Sequence, residues 1–417
     1  MSAPAELDRS GQVRAPRPSL RLTVMWFLTS ATISVVWGAI PSVLVAVQLQ
    51  RIAPDDKVQN LALVTGLAAL MSILVQPIAG RLSDSTRTRL GGRSPWMLGG
   101  ALVGGAGIVA MAYADGVAAI VLLYLVVVIG MNSAGLPFGT VLAERVDPRY
   151  RGGFSALGAI GGFGGIVAGQ AIAAALIDDT RTAYLVVTAI AIIGLLAFVV
   201  LNPERSNRGE PAAPLSWRRM LGAFWFHPRR NPDFAWVLVG RLLLGLAGYL
   251  IVSYNLYILQ GYIHLTTAEA AAAIPLLSLV SGVGLVASTL TAGPLSDRLG
   301  RRKVFLYVAG GLFVVGLMVP FLVPSLTGMI VSQALTGLAL GCMGSVDQAL
   351  LTQVLPDADD VGKDLGIGFI AINAPQALAP FVAGTIISLA GFGPLFPIAA
   401  VIALLGTISV VFIRSVR

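Results

Sequence analysis

From Ala183 to Leu201, and again from Val304 to Val323, the chain runs without a single charged side chain. A run of about 20 apolar residues is what a helix needs to cross the hydrocarbon core of a bilayer. Inside that core every backbone N–H and C=O has to be satisfied internally, which leaves helices as the only spanning element a sequence of this kind can form. Such runs recur along the 417 residues, so the chain is constrained to a bundle of membrane helices. Charged residues are 12% and hydrophobic ones 56%, where a soluble chain has about a quarter charged. Mean hydropathy is +0.84.

Length and apolarity place twelve spans, near 22–47, 59–81, 96–114, 117–145, 152–176, 183–201, 234–259, 268–294, 304–323, 326–354, 364–390 and 393–413. Residues 1–21 are polar, with Pro and Arg, and read as a cytoplasmic tail without a cleavable signal peptide. A pI near 10 raises the question of nucleic acid, and the placement of charge excludes it. With both termini inside, 24 of the 28 Lys and Arg fall in the tail and the inner loops, three (Arg51, Lys57, Arg181) fall outside, and Arg241 lies within a span. That asymmetry is the positive-inside pattern of a multi-pass protein of the cell membrane. One cysteine, Cys342, in an apolar helix gives neither disulfides nor a metal cluster. His227 and His264 fall on opposite sides, and there is no phosphate loop or nucleophile elbow. No cofactor, no metal and no enzymatic activity are expected.

The loop GRLSDSTRTRLGGRSPW (Gly80 to Trp96) returns in shortened form as GPLSDRLGRRKVF (Gly293 to Phe305). Gly80, Ser83 and Asp84 recur 213 residues on as Gly293, Ser296 and Asp297; Gly92 and Arg93 recur 208 on as Gly300 and Arg301. A period this long means two copies of one architectural unit. The expected organisation is therefore a tail (1–21), a six-helix bundle (22–201), a linker (202–233) and a second six-helix bundle (234–417). Within the linker, Leu215 to Phe226 has the spacing of a short amphipathic surface helix, with a solvated linker as the alternative.

Two six-helix halves, paired G-x-L-S-D…R loops after helices 2 and 8, and a charged central linker together resemble the major facilitator superfamily. The longer first loop looks more like that of the glycoside-pentoside-hexuronide and sucrose-type symporters, although Ser85 and Gly92 stand where that pattern has Arg, and helices 1 and 2 hold no Asp or Glu. The resemblance implies an all-α membrane fold of two bundles rocking about a central site, lined by helices 1, 4, 7 and 10. It also implies a conformational latch at Asp84, Arg93, Asp297 and Arg301, the alternative being that these charges only anchor topology.

Arg241 and Asp347 are the charges deepest within predicted spans, at about the same depth from the inner ends of helices 7 and 10. A charge there is costly unless paired. They read either as a proton-coupling site or as a structural pair. Polar or aromatic residues on expected cavity faces are Trp37, Asn132, Tyr254, Asn255, Gln333, Asn373 and Gln376. Arg241, Gly245, Gly248, Val252 and Asn255 form one stripe on helix 7, and Gln333, Gly337, Leu340, Gly344 and Asp347 another on helix 10, so the two helices either pack closely or leave room for a solute. The Gly-rich segment of helix 5, Ser155 to Gln170, suits close helix packing.

The expected function is secondary active transport of a small polar solute, a sugar or glycoside, by alternating access with protons as the coupling ion. The expected partners are that solute and the bilayer, with no nucleic acid, and the chain is expected to be a monomer. A drug or lipid exporter on the same fold is the alternative, and a non-transporting membrane sensor a remote one.

Overall fold

The computed structural model describes residues 18–209, 232–299, 302–354 and 361–412; side chains within 346–354 and 361–372, and those of Asp297 and Arg302, fall outside that description. The tail, the linker segment Leu215 to Phe226, Arg301, and the side chains of Asp297 and Asp347 thus lie outside the described residues.

Among the described residues twelve long helices follow in order: α1 Leu20–Ile52, α2 Lys57–Ser85, α3 Ser94–Met111, α4 Val117–Arg145, α5 Pro148–Ala175, α6 Thr180–Leu201, α7 Pro232–Val252, α8 Thr267–Leu299, α9 Arg302–Leu322, α10 Leu326–Val354, α11 Val361–Ala390 and α12 Leu395–Ser409. Eleven of them are long and apolar enough to cross a membrane. The thirty residues of α11 give about 45 Å of rise, which is also sufficient.

Helices α1 and α7 are jointed at corresponding places. Pro41 has no N–H to continue the ladder of α1, and the chain widens into a π turn, Ile40–Leu44, in which Val45 N–H reaches back to Ile40 O. Helix 7, expected to run unbroken to 259, instead stops at Val252 and resumes as the short helix Asn255–Gly261. The Ser253 hydroxyl donates to Tyr249 O (2.7 Å), a back-bond that bends helices. Ile40 and Ser253 are 213 residues apart, the spacing of the first repeat segment.

Packing repeats the duplication. α1 packs on α5 and α6, α2 on α4, and α3 on α4 and α6; in the second half α7 packs on α11 and α12, α8 on α10, and α9 on α10 and α12. The halves meet through α2 with α11 and through α5 with α8, and these two pairings exchange when the halves are exchanged. Lipid tails are as apolar as leucine, so helices here gain by close backbone approach. A Cβ at Gly165 or Gly169 of α5 would collide with Ala31 O or Val35 O of α1, which is why helix 5 is so rich in glycine.

One face of the bundle carries Arg87, Arg89, Arg93, Arg145, Arg149, Arg151, Arg205 and Arg208, and the opposite face Arg51, Lys57 and Arg181. On the arginine-poor side the halves are joined. Tyr257 Oη donates to Ala46 O (2.8 Å), and Tyr254 Oη lies 2.9 Å from Val58 O and 3.0 Å from Pro380 O. Gln59 Nε2 donates to Ser388 Oγ (3.1 Å), and Lys57 Nζ sits 5.1 Å from the centre of the Tyr257 ring. Near mid-membrane, Phe163 of α5 fills the space beside Gly282 of α8. Toward the arginine-rich side, among the described residues, no atom beyond the helix's own backbone lies within 4 Å of where a Cβ would stand at Gly135 and Gly139 of α4, Gly152 and Gly153 of α5, or Gly344 of α10.

Candidate functional site

Three groups of polar residues stand along this seam and its arginine-rich end. The first is built on Arg93, which caps the turn between α2 and α3. Its Nη1 lies 2.5 Å from Asp84 Oδ1 and 3.0 Å from Ser83 Oγ, and Nη2 lies 2.6 Å from Glu144 Oε1 on α4. Burial works against the charge of Arg93, yet the hydrogen bond and charge of Glu144, and then those of Asp84, outweigh it and hold the guanidinium above its ordinary pKa.

The free N–H groups at the start of α3 go to Glu204: its Oε2 accepts from Arg93 N (2.9 Å), Ser94 N (3.0 Å) and Ser94 Oγ (3.2 Å). Asn207 clasps the same turn, its Oδ1 accepting from Thr88 N and its Nδ2 donating to Thr86 O (both 2.9 Å). Glu144, Glu204 and Asn207 were not singled out from the sequence. They stand roughly 50 to 120 residues from their partners, and no spacing rule links them. Together these groups wall a polar cavity of about 780 Å³ on the arginine-rich face.

The second group lies between α2 and α4. Ser72 Oγ donates to Asn132 Oδ1 (3.2 Å), Asn132 Nδ2 donates to Val128 O (2.8 Å), and Gln76 Nε2 donates to Ser72 Oγ (3.1 Å). All three side chains are half-buried. Ser72 and Gln76 are one turn apart on α2, a spacing visible in the sequence. Trp37 is half-buried at the margin of the apolar core.

The third group is in the second half. α7 and α10 leave room rather than interlocking, and Gly337 of α10 packs on Ser281 O of α8. The space forms a cavity of about 270 Å³ lined by Arg241, Trp236, Gly245 and Tyr249 of α7 and by Leu340 and Gly344 of α10, with α9 and α12 closing it. Among the described lining residues Arg241 carries the charge, and the rest of that wall is largely apolar. Asp347 belongs to α10, beyond the residues whose side chains are described.

The other expected cavity residues separate. Tyr254 is fully buried and committed to the seal, so it is not a cavity wall; the break in α7 turns it toward α2 and α11. Asn255 begins the short helix, with its Oδ1 buried and unbonded. Gln333 and Asn373 are half-buried and Gln376 is exposed. Trp26 of α1 stacks on Phe138 at 4.5 Å and donates to Phe154 O (2.8 Å), so its role is structural.

Two matched bundles that meet through α2 with α11 and through α5 with α8, held together along one edge of their seam, are the architecture of a multi-pass membrane transporter. The chain belongs to the Major Facilitator Superfamily, whose family model matches residues 22–291 and 271–417. Among solved structures it is similar to the nucleoside transporter NupG, at 13% identity and a TM-score of 0.76, covering 94% of this chain and 99% of that one. It is also similar to a bacterial homologue of the human lysosomal transporter Spinster in an inward-facing, unoccupied conformation, at 17% identity and a TM-score of 0.61, covering 94% and 93%. At these identities the likeness concerns the fold. A gallate transporter of Pseudomonas putida is 34% identical over 105 residues, which is 25% of this chain and 23% of that protein.

Proposed function

We propose that the chain carries a small polar solute across the cell membrane by alternating access, with residues 22–201 and 234–417 as the moving bundles and 202–233 as their linker. The arginine-rich face is cytoplasmic in this reading, as are both termini, and the described conformation is inward-facing. The observation that carries it is the one-sided seam: hydrogen bonds from Tyr254, Tyr257 and Gln59 join the halves on one side, while among the described residues the glycines of α4, α5 and α10 toward the other have no neighbour where a Cβ would stand.

A sugar or glycoside is the first solute class to test. The Gln76, Ser72 and Asn132 chain supplies donors and acceptors of the kind a hydroxyl-rich solute uses, and Trp37 stands on α1 with a face for a sugar ring. A second class is favoured by a specific feature: Arg241 on an apolar wall beside Tyr249 and Trp236 suits an organic anion. The Pseudomonas putida relative is named for gallate, an aromatic carboxylate.

Asp84, Arg93, Asp297 and Arg301 act in this reading as the latch of the outward-facing state, and Asp347 with Arg241 as the proton-coupling pair. The test is solute-dependent thermal stabilisation of the purified protein, followed by flux into proteoliposomes, with sugars, aromatic carboxylates and lipophilic cations as three panels. Stabilisation and flux by lipophilic cations alone would overturn the polar-solute reading in favour of an exporter. For coupling, Asp347→Asn is expected to make flux independent of pH, and an unchanged pH profile would remove Asp347 from that role.

A further inference from the structure

Four side-chain amide oxygens among the described residues are buried and accept no hydrogen bond from another protein group: those of Gln50, Gln170, Asn255 and Gln260. Gln50 lines the closed part of the seam, and the other three stand on elements that meet the opposite half there, Gln170 on α5 and Asn255 and Gln260 on the short helix Asn255–Gly261. Gln50 is two residues from the outer end of α1, and Gln170 five from the outer end of α5; Asn255 and Gln260 belong to the short helix Asn255–Gly261. Seven residues separate Gln170 from Phe163, so both project from the face of α5 that meets α8. Gln50 lines a cavity of about 260 Å³ that bridges the halves, with Arg51, Asp178 and Thr267 on its wall. Gln260 touches that wall too: its Nε2 donates to Thr267 Oγ1 (2.9 Å) while its oxygen is left over.

Away from the seam a buried amide in the same protein is satisfied. Gln48 donates to Met111 O (2.8 Å) and Ala114 O (3.0 Å) and accepts from Tyr184 Oη (2.8 Å). Turning an orphaned amide by half a turn only puts an unused N–H where the oxygen was. A buried polar group without a partner disfavours the state that buries it. The closed seam therefore contains its own opposition, placed where water or a hydroxylated solute reaches once the halves part.

We propose that Gln50, Gln170, Asn255 and Gln260 form the polar lining of the outer entrance, hydrated or bonded to a hydrogen-bond-donating solute when that side is open, and that their desolvation on closure sets the balance between the two states. The inference rests on the alternating-access reading. It assigns these amides an energetic role opposite to that of Tyr254 and Tyr257, which hold the same seam shut.

The experiment replaces Gln170 with methionine, which keeps its length and removes the amide. Spin labels at Asp115→Cys and Pro324→Cys, on opposite halves of the outer face, report opening in a Cys342→Ala background; solute flux is measured on the same preparation. Gln170→Met is expected to shift the population toward the outer-closed distance by about tenfold and to raise Tm. Gln260→Met, nearer the surface, is expected to shift it in the same direction and guards against a folding defect at Gln170. Gln48→Met, which orphans its partners inside one bundle, is expected to lower Tm without moving the balance. Populations unchanged or moved toward open in both seam variants, with flux intact, would overturn the inference and leave the transport reading standing. A single outer distance in every preparation together with absent flux would overturn both.

Discussion

Tyr254→Phe tests the seal in the direction opposite to the amide substitutions. The ring is fully buried and the replacement keeps it, so packing is retained and one hydroxyl is lost. That hydroxyl has a single hydrogen, shared between Val58 O at 2.9 Å and Pro380 O at 3.0 Å. Both acceptors are helix carbonyls with an N–H of their own four residues on, so the substitution orphans neither. What disappears is a hydrogen bond that reaches across the seam only through Val58 O, since Pro380 belongs to the same half as Tyr254, so the seal loses at most about 1 kcal/mol. In the outward-facing state the hydroxyl is expected to be hydrated, so its removal costs that state little. The closed-to-open ratio should fall by about twofold to fivefold, since 1.4 kcal/mol is a factor of ten. Double electron–electron resonance between labels on the two halves of the outer face reads this ratio. A ratio unchanged within twofold, or a Tm loss with no change in the distance distribution, would refute the assignment of Tyr254 to the seal and place it among ordinary core residues.

Glu204→Ala should leave the first turn of α3 uncapped and cost about 1–2 kcal/mol, seen as faster amide exchange over residues 86–94, while Glu204→Gln retains much of the protection because its amide oxygen still accepts. At the α1 and α5 crossing, Gly165→Ala drives a Cβ into Ala31 O and is expected to cost roughly 1–3 kcal/mol or more; Gly164→Ala, with nothing within 4 Å, should leave the melting temperature unchanged or slightly higher. Arg93→Lys cannot fork between Asp84 and Glu144 and should lower flux more than it lowers stability. Asp84→Asn is expected to change the inward-to-outward ratio, and if it altered neither that ratio nor flux, the latch would have to be given up.

The helices were legible because their cause is local: a run of apolar residues long enough for a bilayer admits one backbone solution. The duplication was legible because Asp84 and Asp297 repeat in sequence, and Arg93 was found as part of that repeat. Its partners were not. Glu144 and Glu204 are ordinary inner-face acids until α4 and the segment after α6 are folded beside the α2 to α3 turn. Tyr254 was placed on a cavity wall because an unbroken helix 7 would have carried it there; the break after Val252 turned it into the seal. Asn132 was found, but its link to Ser72 and Gln76 depends on which face of α2 meets α4.

Class of fold, number of spans and the sorting of charge between two faces thus follow from composition and order alone, since partition between lipid and water acts residue by residue along the chain. Which polar groups are satisfied follows from the packing of helices remote in sequence. Gln48 and Gln170 are both buried glutamines in apolar helices, yet one finds three partners and the other's oxygen finds none. A hydrogen bond is decided within a few tenths of an ångström, and only the assembled bundle fixes distances that finely.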